Sequence, residues 1–155
     1  MELQDNDLVL RKVAVTDESL LFDWANDPVV RQSSFNHSAI HFAEHQKWFR
    51  KKLSSKNTVM WVLECSGVPC GLVRIEKTER ETTLNYLIAA SHRGQGLAVT
   101  MLKMALEKAC SELANENIFA YALPDNIASC KTLEKVGFRL EKESKEKKCF
   151  VYYCT

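Results

Sequence analysis

Ser91-His92-Arg93-Gly94-Gln95-Gly96-Leu97-Ala98 joins a β-prone run, Thr82 to Ala89, to a stretch in which Ala98, Met101, Leu102, Ala105 and Ala109 recur at helical spacing. Glycines at 94 and 96 allow a sharp turn that aims several N–H groups one way, beside the positive end of a helix dipole. Such a loop is an anion cradle suited to a pyrophosphate, although the same glycines would also serve a tight strand-to-helix turn with no ligand. Two other phosphate loops are excluded. Val99 stands where the third glycine of a dinucleotide fingerprint belongs, and no Gly-Lys-Ser/Thr follows for a P-loop.

Upstream, Leu8 to Val13 reads as a strand, and Thr16-Asp17 as the cap of a helix carrying Leu20, Leu21 and Trp24 on one face. Asn26-Asp27-Pro28 stops that helix. After an irregular polar stretch, Phe42, His45, Trp48, Phe49 and Lys52 predict a second helix over Phe42 to Leu53. Val59 to Cys65 and Cys70 to Lys77, separated by Ser66-Gly67-Val68-Pro69, form a hairpin, and Thr82 to Ala89 extends it to an antiparallel meander. Downstream come a strand over Ile118 to Leu123, a helix opening at Pro124-Asp125-Asn126 and stopped by Gly137, and two strands, from Phe138 and over Cys149 to Tyr153. The alternating charges of Lys142 to Lys148 between them read as a solvated hairpin tip.

The 155 residues, 46% hydrophobic and 26% charged, suit one core-forming domain over 1–155 that needs no metal or disulfide staple. With 21 basic against 20 acidic residues, the charge is +1, which lacks the basic excess of a nucleic-acid groove. The six cysteines, Cys65, Cys70, Cys110, Cys130, Cys149 and Cys154, contain no Cys-x-x-Cys pair. The polar first fifteen residues lack a secretory signal and no apolar run approaches a membrane span, so the expected compartment is the cytoplasm, with reduced thiols. A Cys65–Cys70 bridge across a short turn is the alternative considered for those two.

Two ordered motifs carry a family resemblance. Arg93-x-x-Gly96-x-Ala98 resembles the Arg/Gln-x-x-Gly-x-Gly/Ala motif of the GNAT superfamily of acetyl-CoA-dependent N-acetyltransferases, and Asn126-x-x-Ser129 leading to Lys135-x-Gly137-Phe138 resembles its Asn-x-x-Ala/Ser to Lys-x-Gly-Phe segment. The resemblance implies an α/β GNAT fold with a central, mostly antiparallel mixed sheet flanked by helices, and acetyl-CoA as co-substrate without a metal. It implies that the backbone at Leu87 and Ile88 meets the pantetheine amides, that the N–H groups of Arg93, Gly94, Gln95, Gly96, Leu97 and Ala98 hold the pyrophosphate, and that Asn126 and Ser129 lie near the thioester. Asn126 also reads simply as a helix N-cap. Many family members carry a tyrosine seven residues after the Asn as proton donor to the thiolate. That position is Leu133, so Ser129 becomes the candidate, as in the branch resembling ribosomal-protein alanine acetyltransferases.

Acceptor choice must come from earlier residues. Trp24-Ala25-Asn26-Asp27-Pro28-Val29-Val30-Arg31, Ser34-Phe35-Asn36, Ile40 and Glu44-His45-x-x-Trp48-Phe49 are similar to GNAT enzymes of bacterial nucleotide-sugar pathways, a subgroup acting on a UDP-linked 4-amino sugar in pseudaminic acid synthesis. Arg, frequent in that subgroup before the Asn-Asp pair, is replaced by Ala25. Phe35 and Trp48 suit stacking on a base or sugar, and Arg31, Asn36 and His37 suit bonding to phosphate and hydroxyls. Trp48, Phe49 and Trp24 read more readily as core residues. His45 or Glu44 would take the amine proton directly or through water, although His45 also reads as a solvated helix residue. The acceptor expected is a small-molecule amine on a nucleotide-linked sugar, handled by a monomer or homodimer with no nucleic-acid or membrane partner. Protein N-terminal acetylation and a silent acetyl-CoA-binding module are the rival readings.

Overall fold

The computed structural model describes residues 7–113 and 116–155. Strands β1 (Leu8–Lys12), β2 (Thr58–Cys65), β3 (Val68–Lys77), β4 (Thr82–Ile88), β5 (Asn117–Ala122), β6 (Arg139–Glu143) and β7 (Lys148–Tyr153) make one sheet in the order β1-β2-β3-β4-β5-β7-β6. Every neighbouring pair is antiparallel except β4 and β5. Helices α1 (Glu18–Ala25), α2 (Pro28–Gln32), α3 (Phe42–Ser54), α4 (Leu97–Cys110) and α5 (Ile127–Val136) flank it. This is the GNAT fold expected from the motifs.

Strand alternation sorts the core onto two faces. Trp61, Leu63, Val73, Ile75 and Leu84 face α4 and α5, meeting Met101, Leu102, Ala105 and Leu133. Met60, Val62 and Leu72 face the other way, onto Leu21 of α1 and Phe49 of α3. At Gly71 the packing is closest: a Cβ there would stand 2.8 Å from Met101 Sδ and 3.3 Å from the Leu87 carbonyl oxygen. A side chain at that point would displace the ends of the Met101 and Ile88 side chains and crowd the Leu87 carbonyl.

The β4–β5 pair decides where a site can form. Only Thr82 with Ile118 and Thr83 with Phe119 are in register, and beyond them the strands part. From Leu84 to Ile88, β4 is bonded to β3 on one side and faces an open cleft on the other.

Several expectations are corrected. Thr16 and Asp17 form a 3-10 turn before α1, and the Asp17 carboxylate accepts from Ala14 N–H and Arg11 instead of capping the helix. Asn26-Asp27-Pro28 ends α1 but also starts α2, because the Asp27 carboxylate accepts from Val29 and Val30 N–H and Pro28 suits the first helical position. The thiols are not all reduced: Cys110, at the end of α4, is bonded to Cys154, just after β7, with Cα atoms 5.2 Å apart. Forty-four residues separate them and only the packed fold brings them together. Cys65 and Cys70 are free and buried, with no bridge. Ser144 to Lys147 is an exposed tip, as expected. No helix among the described residues is long and apolar enough to cross a membrane.

Candidate active site

The parted strands enclose a cleft of about 560 Å³ bounded by Leu84 to Ile88 of β4, Ala120 to Ala122 of β5, the loop before α4 and the first turns of α5. In this loop Gly94 and Gly96 have φ of 78° and 74°, the left-handed region that favours glycine. A Cβ at either would meet no atom within 4 Å, so the space above the loop is open for a ligand. The amides of Gly94, Gln95 and Gly96 bond to no protein acceptor among the described residues. They stand at the N-terminus of α4, a fourteen-residue helix whose dipole favours anions. An exposed cradle of amides beside a strand with a free edge fits a long molecule carrying a pyrophosphate and amides.

The residues expected to hold acetyl-CoA are distributed as follows. Leu87, Ile88, Arg93, Gly94, Gly96, Ala98, Asn126 and Ser129 line the cleft. Leu97 also borders it, but its side chain is 5% exposed and belongs to the core, which leaves its backbone for the ligand. Gln95 is exposed outside the lining. The Arg93 guanidinium is already engaged: Nη2 pairs with Asp27 at 3.0 Å and Nε donates to the Ile88 carbonyl at 3.1 Å. It fastens the loop to β4 and α2. Asn126 caps α5, its Oδ1 accepting from Ser129 N–H, as the capping reading expects.

Ser129 has a partner that sequence reading missed. Its Oγ lies 2.8 Å from the Tyr86 hydroxyl. Tyr86 is largely buried, and burial pushes its pKa up while hydrogen bonds with Ser129 and Thr132 pull the other way. A second tyrosine in the cleft, Tyr121, gives its hydroxyl to the Glu81 carboxylate at 2.7 and 2.8 Å, and burial with that contact raises its pKa. The period-two pattern of β4 places Leu84, Tyr86 and Ile88 on one face, but nothing in the sequence shows that this face meets a residue 43 positions later.

Next to the cleft is a cavity of about 440 Å³ between α1, α3 and strands β3 and β4, lined by Arg31, Glu44, His45, Trp48, Arg74 and Tyr86 among others. Val30, Ser34, Asn85, Tyr86 and Leu87 border both spaces. His45 is 3% exposed, so the solvated reading is corrected. Its Nε2 donates to the Glu18 carbonyl at 3.2 Å, which leaves the lone pair on Nδ1. Burial lowers its pKa and keeps the ring neutral. Glu44 is exposed at the rim.

Of the expected acceptor residues, Trp48 lines this cavity, half-buried, with the Arg74 guanidinium 5.1 Å from its ring centroid. Arg31 also lines it, but its guanidinium holds the following loop through the carbonyls of Ala25, Asn36 and Ser38 and the Ser34 hydroxyl. Phe35 borders the first cleft instead. Asn36 stabilises a turn by accepting from Ser38 N–H, and it and His37 are exposed outside both cavities. Arg74 was missed because its strand reads as apolar. A larger cleft, about 650 Å³, lies at the other end of β2 to β4 among lysines and lacks the loop and helix starts. Among the described residues no cluster of His, Cys, Asp or Glu could hold a metal.

The sequence profile of the acetyltransferase (GNAT) domain matches residues 7–139. The chain belongs to the GNAT acetyltransferase family. This GNAT enzyme is similar to spermidine N(1)-acetyltransferase of Escherichia coli K12, with 23% identity over 137 residues covering 86% of this chain and 74% of the relative. Its fold matches that of spermidine N-acetyltransferase from Vibrio cholerae in complex with CoA and spermine, at TM-score 0.85, 19% identity and 97% of each chain. It also matches aminoglycoside acetyltransferase AAC(6')-Ib with coenzyme A, at TM-score 0.78, 17% identity and 94% of each chain. The chain is thus an acetyl-CoA-dependent N-acetyltransferase. These relatives give the superfamily without pointing to its nucleotide-sugar subgroup.

Proposed function

We propose that this GNAT enzyme acetylates a primary amine on a molecule that also carries an anion, and that the acceptor is a nucleotide-linked amino sugar. The observation that carries the reading is Arg74. Its Nε is buried without a hydrogen-bond partner, and its nearest carboxylate oxygen, on Glu76, is 3.8 Å away. Burial pulls its pKa down against the pull of Glu76. A guanidinium largely withdrawn from water and lining the cavity favours an anionic group, such as a phosphate, entering beside it. Trp48, already under the guanidinium, offers a ring face to a sugar or base. Spermidine, the acceptor of one relative, is a polycation and would meet two arginines and one rim carboxylate, Glu44.

Acetyl-CoA supplies the activated acetyl group. The β4 edge and loop amides orient it, the apolar walls exclude water, and the neutral His45 takes the amine proton, directly or through water. Incubation with acetyl-CoA and a panel of UDP-linked amino sugars, spermidine, an aminoglycoside and peptides tests the proposal by mass increment. Acetylation of the UDP-linked sugars is expected. Transfer to spermidine, aminoglycoside or peptides alone overturns the acceptor.

A further inference from the structure

Acetyl transfer must cross the wall shared by the cofactor cleft and the acceptor cavity, and the sulfur that leaves there needs a proton. Leu133, at the position where the family motif places a tyrosine, is apolar and 1% exposed. Of the five residues on the shared wall, Val30 and Leu87 are apolar and Asn85 has no acidic proton. The Ser34 hydroxyl already donates to the Val30 carbonyl at 2.6 Å. Only Tyr86 offers a proton whose acidity approaches that of a thiol, with a reference pKa of about 10 against about 8.5.

We infer that Tyr86, held by Ser129, is the catalytic proton donor to the departing CoA thiolate. The inference rests on the acetyl-transfer reading of the cleft and is independent of the acceptor's identity. The acceptor nitrogen forms a C–N bond to the acetyl carbon as the C–S bond breaks, its electron pair going to sulfur. Sulfur takes the Tyr86 proton. The nitrogen gives one proton to His45, and exchange with solvent returns a proton to the phenolate and frees His45, so the net movement is from nitrogen to sulfur. The Ser129 hydroxyl, 2.8 Å away, turns its own proton to the phenolic oxygen as negative charge grows there. Burial keeps the phenol protonated until it is needed. Cys130 on α5 acts on it electrostatically, and the other titratable and charged residues lining the two spaces it borders are His92, Arg93, Tyr121 and Lys135 on one side and Arg31, Glu44, His45 and Arg74 on the other.

Tyr86→Phe removes the hydroxyl alone. With CoA bound, ultraviolet titration of its thiol is expected to show a pKa about one unit higher in Tyr86→Phe than in the wild type, because the thiolate loses a hydrogen-bond donor. Calorimetric affinity for acetyl-CoA and thermal stability stay near wild type. With any acceptor the wild type uses, kcat falls about 100-fold and KM is little changed. Ser129→Ala moves both readouts the same way, by less. Identical thiol titrations in wild type and Tyr86→Phe overturn the assignment, as does an unchanged kcat. If the wild type binds no CoA, the cleft reading itself fails. If it binds CoA but acetylates nothing in the acceptor panel, the acceptor proposal fails and the thiol titration still decides Tyr86.

Discussion

Asp27 illustrates how much a single carboxylate can hold in place. It caps α2 through two backbone amides and pairs with Arg93, which in turn is bonded to the last carbonyl of β4. Burial alone would raise its pKa, but Arg93 and the two amides outweigh that and keep it below the ordinary carboxylate value of 3.8. A depressed carboxylate stabilises the fold fully above its unfolded pKa, and that contribution is lost as pH falls through and below 3.8. Asp27→Ala is expected to cost about 1 kcal/mol in chemical denaturation, the usual worth of a helix cap. It should also weaken acetyl-CoA binding, since Arg93 then loses its tether. The pair with Arg93, 66 positions away, is invisible in the sequence, where Asp27 reads only as part of a helix stop.

At the scale of elements, the loop before α4 and the contact between α4 and β3 make opposite demands on glycine. Gly96 needs its positive φ and has free space, so Gly96→Val meets no neighbour but carries a conformational cost of about 1–2 kcal/mol. Its side chain would stand over the cradle, and thermal shift should show that stabilisation by acetyl-CoA has gone. Gly71 needs space. Gly71→Ala should cost about 1 kcal/mol through displacement of the Met101 and Ile88 side chains and crowding of the Leu87 carbonyl, visible as a lower denaturation midpoint in the apo protein. The meander β2 to β4, helices α3 to α5 and the cradle loop were legible because each is announced by its own periodicity or glycines. Helix α2 was not, because Asp-Pro ends one helix and begins another with the same residues. The site was half legible. The motif residues gather along one cleft, but Tyr86, Arg74 and the consumption of Arg31 by its own loop depend on contacts across the fold.

For the molecule as a whole, the Cys110–Cys154 bond closes a long loop, binding the end of α4 to the last strand region. In the chain-entropy view a loop of this length is worth up to about 4 kcal/mol. Cys110→Ser, or reduction of the wild type, should lower the melting temperature without altering the cleft. An unchanged melt in reductant would show that the pair contributes nothing to the fold. The parting of β4 and β5 has another consequence. The sheet is two blades, β1 to β4 and β5 to β7, joined at one end by two residue pairs, like shears with a single rivet. Acetyl-CoA held between the blades, as proposed, would restore the missing continuity, so its addition should slow amide exchange in both blades together. At 100-fold excess over Kd the ligand adds about 2.7 kcal/mol to stability. Resistance to unfolding should therefore rise with acetyl-CoA concentration, which a melt across a concentration series would show.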